Sequence, residues 1–445
     1  MRAAPRVRVV VLNYDGGEMT LRCLDALRRL DYPADRVEIV MVDNGSIDGI
    51  VDRVRVEYPA VRVEEPLANL GFAGGCNLGI GDPGAGQYDY VALVNNDAVP
   101  EPGWLAPLVD ALEADPGLGA ASSKILFAAR YWGTRIEAPV THDRGVRLSG
   151  LEVDGADAWS RAAFDEGFWG PEPPRAGEVG SRWSKGRAEA RIVADAGGEG
   201  PKRMALRLSA DSPRTVTLAS GGETRSVSVG PEPAWVEIDL PAEPHDVINN
   251  VGSSLYAGGF GGDRGYLERD EGQYEEAVDV FAWCGGSVLL RPAYLRQVGL
   301  FDERFFLYYE DTDLSWRGRL LGWRYRYVPA SVVRHEHAAT SGEGSDLFRY
   351  YVERNRLLML AKDAPARLAL RAALIEARST ARAVTAEYLR PMARGQRPRP
   401  NVAPQKVRST RSFVKHVPAM VTDRRRLGRQ RVVSDADILG WMVTK

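Results

Sequence analysis

The chain has 445 residues, 44% of them apolar and 27% charged, and its formal net charge is −2 at pH 7. This is the composition of a soluble protein with two or three domains, and the near-neutral charge argues against a nucleic-acid-binding protein. Three widely spaced cysteines indicate neither a disulfide framework nor a zinc site, which favours a reducing, cytoplasmic location. No apolar run reaches the ~18 residues of a membrane span, and a strand is predicted almost at the start, so neither a transmembrane helix nor an export signal is expected.

The first part of the chain alternates predicted strands and helices. Apolar, β-branched runs at 6–12, 37–42, 61–64 and 90–94 predict strands, and the spacing of leucines within 19–30 predicts a helix. The fourth run is apolar throughout, as expected of a strand buried on both faces. Repeats of strand, polar turn and helix favour a parallel sheet with crossover helices.

Polar side chains follow three of these strands, namely Tyr14, Asp43, Asn95, Asn96 and Asp97. Ligands of open α/β sheets bind at this edge, and a carboxylate beside carboxamides suits a hard cation that carries phosphate oxygens. Tyr14 could stack on a nucleobase, and Asp43 could accept a hydrogen bond from a base or a ribose. Alternatively, these residues are a surface aromatic, a helix-capping acid and a turn that caps backbone groups.

A glycine-rich segment at 69–77 precedes the fourth strand. Without Cβ atoms, Gly71, Gly74 and Gly75 could bring the backbone of a loop close to a ligand. The spacing is not that of a dinucleotide-binding fingerprint, and no P-loop lysine is present.

The middle of the chain changes pattern. Five short alternating strands with Gly or Pro turns are predicted at 188–195, 203–209, 214–218, 225–229 and 234–240. This pattern is typical of a small antiparallel β-sandwich, which we place at 175–243. The sandwich is either a carbohydrate- or partner-binding module or a spacer.

Three acids, Glu310, Asp311 and Asp313, stand at the start of a predicted helix. The helix dipole favours acids there, which is one explanation for them. An aromatic and apolar run precedes Asp311, and partial burial would raise its proton affinity, as a general base requires.

Two more strands are predicted at 280–290 and 328–335. The first contains Gly285 and Gly286 beside Trp283, which could form a platform for a sugar ring; alternatively, Trp283 belongs to the core. The second ends at His335, with His337 nearby, where a ligand site is expected; a single histidine in that position is otherwise a surface or core residue.

Five motifs in this order resemble the family 2 glycosyltransferases, inverting enzymes of the GT-A fold, and within them the rhamnosyltransferase- and galactofuranosyltransferase-like branch. The resemblance covers residues 6–128 and 246–360. The motifs are Val-Val-Val-Leu-Asn-Tyr14, Val-Asp43-Asn-Gly-Ser46, Asn69-Leu-Gly-Phe-Ala-Gly-Gly-Cys-Asn77, Asn95-Asn-Asp97 and Phe306-Leu-Tyr-Tyr-Glu-Asp311-Thr-Asp313, with His335 beyond them.

The resemblance implies a role for each motif. Asp311 would be the catalytic base. Asp97 and His335 would hold Mg²⁺ or Mn²⁺ on the donor diphosphate, and Tyr14 and Asp43 would hold the nucleobase of the donor. The full donor-binding set would be Tyr14, Asp43, Asn69, Gly71, Phe72, Asn77, Asn95, Asn96 and Asp97. The acceptor-binding set would be Trp283, Gly285, Gly286 and Glu310. Asn95 stands where the family's metal motif has its first acid.

The expected fold is α/β, of the GT-A type with a Rossmann-like, mostly parallel sheet, an inserted antiparallel β-sandwich and a helical, basic C-terminal region. We divide the chain into a nucleotide-sugar-binding half at 1–130, an irregular connection at 131–174, the sandwich at 175–243, an acceptor and catalytic half at 244–362 and the C-terminal region at 363–445. Residues 394–411, rich in Pro and Arg, are predicted to be a poorly ordered linker.

The C-terminal region combines a helical apolar stripe, which includes Leu368, Leu370 and Leu374, with many arginines. A basic amphipathic tail can lie on an anionic membrane, where lipid-linked acceptors would be found. Alternatively, these helices pack on the core and expose a charged face. The enzyme would therefore be cytoplasmic, with peripheral contact to the cytoplasmic face of the membrane.

The predicted function is transfer of a sugar from a UDP or dTDP donor, with rhamnose or galactofuranose as candidates, to a hydroxyl of a cell-envelope glycan or lipid-linked saccharide. One alternative is a sugar-phosphate nucleotidyltransferase, although the turn after the first strand lacks the basic residues expected to bind a triphosphate. The other is a non-catalytic glycan-binding protein that uses the inserted sandwich.

Overall fold

The structure is a computed structural model that describes residues 3–165, 167–173, 178–194, 202–336 and 345–443. It forms two compact units. The larger unit comprises Met1–Leu126, Asn250–Tyr266 and Tyr274–Lys445, and the smaller unit comprises Phe127–Asn249 and Leu267–Gln273.

The chain begins with strands and helices in alternation, as predicted. In order they are β1 (Val7–Asn13), α1 (Gly17–Leu27), β2 (Val37–Asp43), α2 (Ile50–Glu57), β3 (Arg62–Glu64), α3 (Gly71–Ile80), β4 (Tyr90–Asn95), β5 (Ala98–Pro100), α4 (Leu105–Ala114) and β6 (Leu118–Phe127).

In the next segment of the chain, the described residues form strands and one short 3₁₀ turn. The strands are β7 (Tyr131–Glu137), β8 (Arg147–Val153), β9 (Ala156–Asp157), β10 (Ala162–Phe164), β11 (Arg182–Trp183), β12 (Arg187–Val193), β13 (Arg203–Ser209), β14 (Arg214–Ser220), β15 (Glu223–Val229), β16 (Ala234–Asp239) and β17 (Ile248–Asn250).

The last part returns to mixed structure and becomes helical toward its end. It contains β18 (Ser253–Tyr256), β19 (Phe260–Asp263), β20 (Val278–Asp279), β21 (Ser287–Leu290), α5 (Pro292–Val298), α6 (Glu310–Leu320), β22 (Arg324–His335), α7 (Asp346–Asp363), α8 (Ala366–Val384), α9 (Arg390–Ala393), α10 (Ala403–Gln430), α11 (Asp435–Leu439) and β23 (Met442–Val443).

The main sheet of the larger unit runs in the order β20-β22-β6-β21-β4-β1-β2-β3. Strand β1 pairs in parallel with β2 and β4, and β2 pairs in parallel with β3, whereas β21 is antiparallel to both β4 and β6. The predicted α/β fold with a Rossmann-like parallel sheet is confirmed, and antiparallel strands extend that sheet into a mixed one. The carboxyl ends of β1, β2 and β4 meet at one edge because these strands are parallel.

The glycine-rich segment after β3 differs from its prediction. It is not an open loop, because Gly71 begins the helix α3. A Cβ at Gly75 would lie 2.3 Å from Leu12 Cδ1, and a Cβ at Gly79 would lie 2.3 Å from Val10 Cγ1. These two glycines therefore allow α3 to pack closely on β1.

The smaller unit is an antiparallel β-sandwich, as predicted. Its two sheets run β10-β12-β7-β14-β15 and β11-β8-β13-β16, and Trp132 and Ile136 of one share a core with Leu148 and Leu206 of the other. The boundaries were wrong, because β7 and β8 come from 131–174, which was predicted to be an irregular connection. The inward alternation of Trp132, Thr134 and Ile136 was the signal for β7. The predicted first residue of the sandwich, 175, lies outside the described residues.

Helices α8 and α10 form most of the C-terminal region, which confirms its predicted helical character. The linker predicted at 394–411 was wrong in its second half, because α10 begins at Ala403. Pro404 is tolerated in the first turn, and the Glu387 carboxylate accepts hydrogen bonds from the backbone N–H groups of Asn401, Val402 and Ala403. Among the helices that the structure describes, none is both long and apolar enough to cross a bilayer.

Candidate functional site

Side chains connect the carboxyl ends of the three adjacent parallel strands. Asn13, at the end of β1, donates from Nδ2 to Asp43 Oδ1 at the end of β2, over 2.6 Å. Asn96, just after β4, donates to Asn13 Oδ1 over 3.0 Å and also contacts Thr20. The predicted polar edge therefore exists as a connected network.

The Asp43 carboxylate is occupied within this network. Its Oδ1 accepts from Asn13 and from Ser46 Oγ, and its Oδ2 accepts from the backbone N–H groups of Gly45 and Ser46. These four bonds fill the acceptor sites of a carboxylate, so a base or ribose must displace one of them to bind here. Tyr14, by contrast, is 44% exposed beside this loop.

Asp97 and His335 form the central pair of the site. His335 Nε2 lies 3.0 Å from Asp97 Oδ1, and each residue is only 8% exposed. They meet because β22 runs antiparallel to β5, in a register that sets His335 opposite Ala98. Asn95 Nδ2 lies 3.3 Å from His335 Nε2. His337 lies outside the described residues.

This pair fits a divalent cation. Two neighbouring ligands of an octahedral ion, each at about 2.1 Å, are about 3.0 Å apart, which is the separation of the two atoms here. A carboxylate is an ordinary ligand for Mn²⁺ or Mg²⁺, whereas an imidazole suits a transition metal such as Mn²⁺ better than Mg²⁺. No group of three or more His, Cys, Asp or Glu side chains suited to a metal occurs among the described residues. A metal at this pair would therefore need oxygen ligands from a substrate or from water.

Asp311 lies in the first turn of α6 and is held by three hydrogen bonds. Its Oδ2 accepts from Gly285 N–H over 3.0 Å, and its Oδ1 accepts from the N–H of Thr312 over 2.6 Å and from Thr312 Oγ1 over 3.2 Å. Burial raises the pKa of Asp311, although these donors oppose the shift. The carboxylate is thus fixed in place and more basic than an exposed one, as its predicted role requires.

Two consecutive glycines connect Asp311 to the end of β4. Gly285 donates to Asp311, while the carbonyl oxygen of Gly286 accepts from the N–H of Asn95 over 3.1 Å. Gly285 also faces Phe72, because a Cβ there would lie 3.1 Å from the Phe72 ring. The two glycines, predicted to bind the acceptor, hold the two sides of the site together through their backbone.

Glu310 precedes Asp311, the predicted base, and is buried. Burial and the neighbouring Asp311 carboxylate raise the pKa of Glu310 well above its ordinary range. Its Oε2 has no hydrogen-bond partner among the described residues. In its protonated form a carboxyl group can donate a hydrogen bond, and the direct neighbour of Glu310 is the residue predicted to be the base.

The loop before α6 is strained. Phe306, Tyr308 and Tyr309 all have positive φ angles, of 66°, 67° and 69°, which aromatic residues rarely adopt. Strain of this kind persists only where surrounding contacts hold it and is common at functional sites. The loop leads directly into the turn that carries Glu310 and Asp311.

Two residues of α7 hold this loop, and the sequence analysis missed both. Asn355 Nδ2 donates to the carbonyl oxygens of Phe305, Leu307 and Tyr308 over 2.9, 2.8 and 2.7 Å. Arg354 donates from Nη2 to the carbonyl oxygen of Phe305 over 2.9 Å and also bonds to the one before it. No local signal could have found them, because their partners lie in a different segment of the chain.

The third acid of the motif, Asp313, has a structural environment. It is fully buried and pairs with Arg317 over 2.9 Å and with Lys362 over 2.5 Å. Lys362 also pairs with Asp302 over 2.7 Å. This network joins α6 to α7 and to the loop between α5 and α6, so it fixes the helix that carries Asp311.

Trp283 was wrongly predicted to be a sugar platform. It is fully buried and packs edge-to-face against Phe301, with ring centroids 5.9 Å apart. A platform needs one exposed ring face, and no face of this ring reaches solvent. The alternative interpretation, a core tryptophan beside glycines, is the correct one.

Asn69 and Asn77, predicted to bind the donor, bond to the protein backbone. Asn69 Oδ1 accepts from Gly71 N–H over 2.8 Å, at the start of α3. Asn77 donates to the carbonyl oxygen of Phe301 over 2.9 Å and accepts from its N–H over 3.0 Å. Gly71 has a φ of +69°, and a Cβ there would lie 2.4 Å from the carbonyl oxygen of Phe306. These residues connect α3 to the segment that carries the predicted base.

Comparison with known proteins gives one family match and several relatives. The model of the Glycosyl transferase family 2 matches residues 8–139. The chain is 48% identical over 61 residues to the N-acetylglucosaminyl-diphospho-decaprenol L-rhamnosyltransferase of Mycobacterium tuberculosis (strain ATCC 25618 / H37Rv), which is 14% of this chain and 20% of that protein. It is 37% identical over 76 residues to the Rhamnosyltransferase WbbL of Escherichia coli (strain K12), which is 17% of this chain and 29% of that protein. The chain thus spans less than a third of the length of the curated relatives that it matches.

Solved structures show weaker similarity. The mannosyltransferase PcManGT from Pyrobaculum calidifontis, in complex with GDP-Man and Mn²⁺, matches over 98% of this chain and 79% of its own with a TM-score of 0.38 and 14% identity. GalNAc-T7 with UDP, GalNAc and Mn²⁺ matches over 80% of this chain and 51% of its own with a TM-score of 0.40 and 13% identity.

Proposed function

We propose that the chain is an inverting glycosyltransferase of the rhamnosyltransferase type, because residues 8–139 match the model of the Glycosyl transferase family 2. The donor is a nucleoside-diphosphate sugar of the UDP or dTDP type that carries rhamnose or galactofuranose. The acceptor is a hydroxyl group of a cell-envelope glycan or of a lipid-linked saccharide. The names of the two relatives support the transferred sugar, and three free cysteines support a reducing, cytoplasmic location.

One observation carries this proposal. The Gly285-Gly286 dipeptide bonds to Asp311 on one side and to Asn95 on the other, and Asn95 leads to Asp97 and His335. A general base and a cation-binding pair are thus held across one short stretch of backbone. Sugar transfer needs both groups, one for the acceptor hydroxyl and one for the leaving diphosphate.

Asp97 and His335 serve the leaving group in this proposal. Asp97 and His335 would hold a divalent cation, which would supply positive charge to stabilise the leaving diphosphate. Asn95 lies next to this pair and contributes an amide, which carries no charge. Two protein ligands alone would hold such an ion weakly, so we expect metal affinity to depend strongly on the nucleotide.

Asp311 serves the acceptor. Gly285 donates one hydrogen bond to its Oδ2, and Thr312 donates two to its Oδ1. We assign to Oδ2 the proton of the acceptor hydroxyl. The acceptor oxygen bonds to the anomeric carbon from one face, the nucleoside diphosphate leaves from the other with the bonding electron pair, and the configuration inverts.

The nucleotide base belongs at the carboxyl ends of β1 and β2. Tyr14 offers an exposed ring there for stacking. Asp43 shapes the loop through its four hydrogen bonds, and it reaches the base by exchanging one of them. Asn96 directly precedes Asp97 and donates to Asn13, so it connects the nucleobase site to the pair of Asp97 and His335.

The test is calorimetric binding of UDP, dTDP and GDP to the purified chain, with Mn²⁺ and then with excess EDTA. We expect one uridine or thymidine nucleotide to bind in the presence of Mn²⁺ and to lose most of its affinity in EDTA and in Asp97→Ala. Asp311→Asn should retain nucleotide binding and lose sugar transfer by at least ~100-fold, because only the base is removed. Asp35→Asn, an exposed surface acid, serves as the matched control.

Two results would overturn the proposal. Absence of binding of all three nucleotides under both conditions would remove the donor site, and the sandwich-based glycan binder would then be the better interpretation. Full transfer activity in Asp311→Asn would remove the assigned base while leaving the donor site intact.

A further inference from the structure

One side of α8 is both exposed and apolar. Leu370, Leu374 and Ile375 are 62%, 50% and 53% exposed, whereas Leu368 and Ala372 of the same helix contribute to the core that α7 and α10 share. The predicted apolar stripe of this region therefore divides into a packed part and an unpacked part. Only the unpacked part needs an explanation.

The same side of α8 carries arginines. Arg367, Arg371, Arg378 and Arg382 are all exposed. They lie three, four, seven or eight residues from Leu370 or Leu374, the spacing that places side chains on one face of a helix. We name this surface, made of Arg367, Leu370, Arg371, Leu374, Ile375, Arg378 and Arg382, the Arg-Leu face.

The Arg-Leu face contains no acid. The single acid of α8, Glu376, is buried and pairs with Lys406 of α10 over 2.8 Å. Just beyond α8, Glu387 is occupied by the backbone N–H groups at the start of α10. The arginines of this face therefore have no anionic partner on their own helix, and the chain continues with the exposed Leu389 and Met392.

We propose that the Arg-Leu face binds the surface of an anionic lipid membrane. The exposed leucine and isoleucine side chains enter the boundary between head groups and acyl chains, while the arginines between them contact lipid phosphates. Guanidinium groups bind phosphate oxygens in pairs, and a surface without acids repels none of them. Charge complementarity thus identifies the occupant.

Other occupants fit this face less well. A second copy of the chain, docked by two-fold symmetry, would set these arginines against the same arginines of its partner. A nucleic acid would be drawn to the arginines but would leave three exposed aliphatic side chains without apolar contacts. The proposal goes beyond the proposed function and does not rest on it, because binding to lipid is measured without donor or acceptor.

The experiment is sedimentation of the full chain with vesicles of phosphatidylcholine alone or mixed with phosphatidylglycerol, without nucleotide. We expect binding to the mixed vesicles only. The pair Arg371→Gln and Arg378→Gln should weaken it by roughly 10-fold or more, as should the pair Leu370→Ser and Leu374→Ser. Added salt should weaken binding of the wild type and of the leucine pair, and have less effect on the arginine pair.

Matched controls come from exposed residues elsewhere. Arg187→Gln changes an arginine that is 86% exposed, and Leu67→Ser changes a fully exposed leucine; neither should alter vesicle binding. Equal binding to both kinds of vesicle, or unchanged binding in both paired variants, would overturn the proposal. The proposal would also be overturned if the wild type did not bind vesicles but dimerised with rising concentration, or was retained on DNA, and the paired variants abolished that behaviour.

Discussion

The substitution Asn355→Leu tests whether α7 holds the strained loop before the base. The Asn355 side chain is fully buried, and its two N–H bonds serve three carbonyl oxygens, those of Phe305, Leu307 and Tyr308. Leucine has a similar volume and no donor, so the change removes the hydrogen bonds while the packing is largely kept. Phe305 retains its bond from Arg354, whereas the other two oxygens lose the Asn355 donor.

The magnitude follows from those two oxygens. A buried carbonyl group left without its donor costs about 1–3 kcal/mol, so the free energy of unfolding should fall by about 2–4 kcal/mol, allowing for partial relaxation. Each residue held at a positive φ stores about 1–3 kcal/mol, which the loop releases by moving. A displacement of about 1 Å at Asp311 costs roughly 100-fold in turnover.

Urea unfolding and the transfer rate at saturating donor measure the two effects. The kcat should fall while the affinity for nucleotide is unchanged, because the loop supports the base. Asn355→Asp keeps the shape and the acceptor for Arg354 Nε but faces the carbonyl oxygens with acceptors, so it should also lower the kcat. Asn401→Leu, at an exposed position, is the control. A loss below about 0.5 kcal/mol with unchanged kcat in Asn355→Leu would refute the reasoning.

Two further predictions concern packing and pH. Gly79→Ala should lower the free energy of unfolding by about 1–3 kcal/mol, because its Cβ would lie 2.3 Å from Val10 Cγ1. The control Gly103→Ala, whose Cβ would have no atom within 4 Å, should change that free energy by less than about 0.5 kcal/mol. Equal effects of the two substitutions would contradict the packing argument. Because burial raises the pKa of Asp311, the transfer rate should fall as the pH drops through that raised pKa. The folded chain then holds protons at Asp311 and Glu310 that the unfolded chain releases, so the contribution of these two groups to stability should decrease as pH rises above the ordinary carboxyl range. A pH–rate profile and urea unfolding at several pH values would check both; a rate that does not change with pH would contradict the assigned base.

The sequence alone determined the features that depend on local pattern. Alternation and apolar runs located β1, β2 and β4, and the polar residues after them located one edge of the sheet, because parallel strands end on the same side. The start of α6 was also predicted, because acids in the first turn of a helix are a local signal. The five strands predicted within the sandwich followed from their alternation.

Tertiary structure alone decided which side chains face each other. His335 meets Asp97 because β22 and β5 pair antiparallel in one register, although the two residues are far apart in sequence. Trp283 is a core residue, and Asn355 supports a distant loop, for reasons that no neighbouring residue in the chain reveals. Local sequence fixes backbone preference and polarity, whereas burial and hydrogen-bond partners depend on segments that only the folded chain brings together.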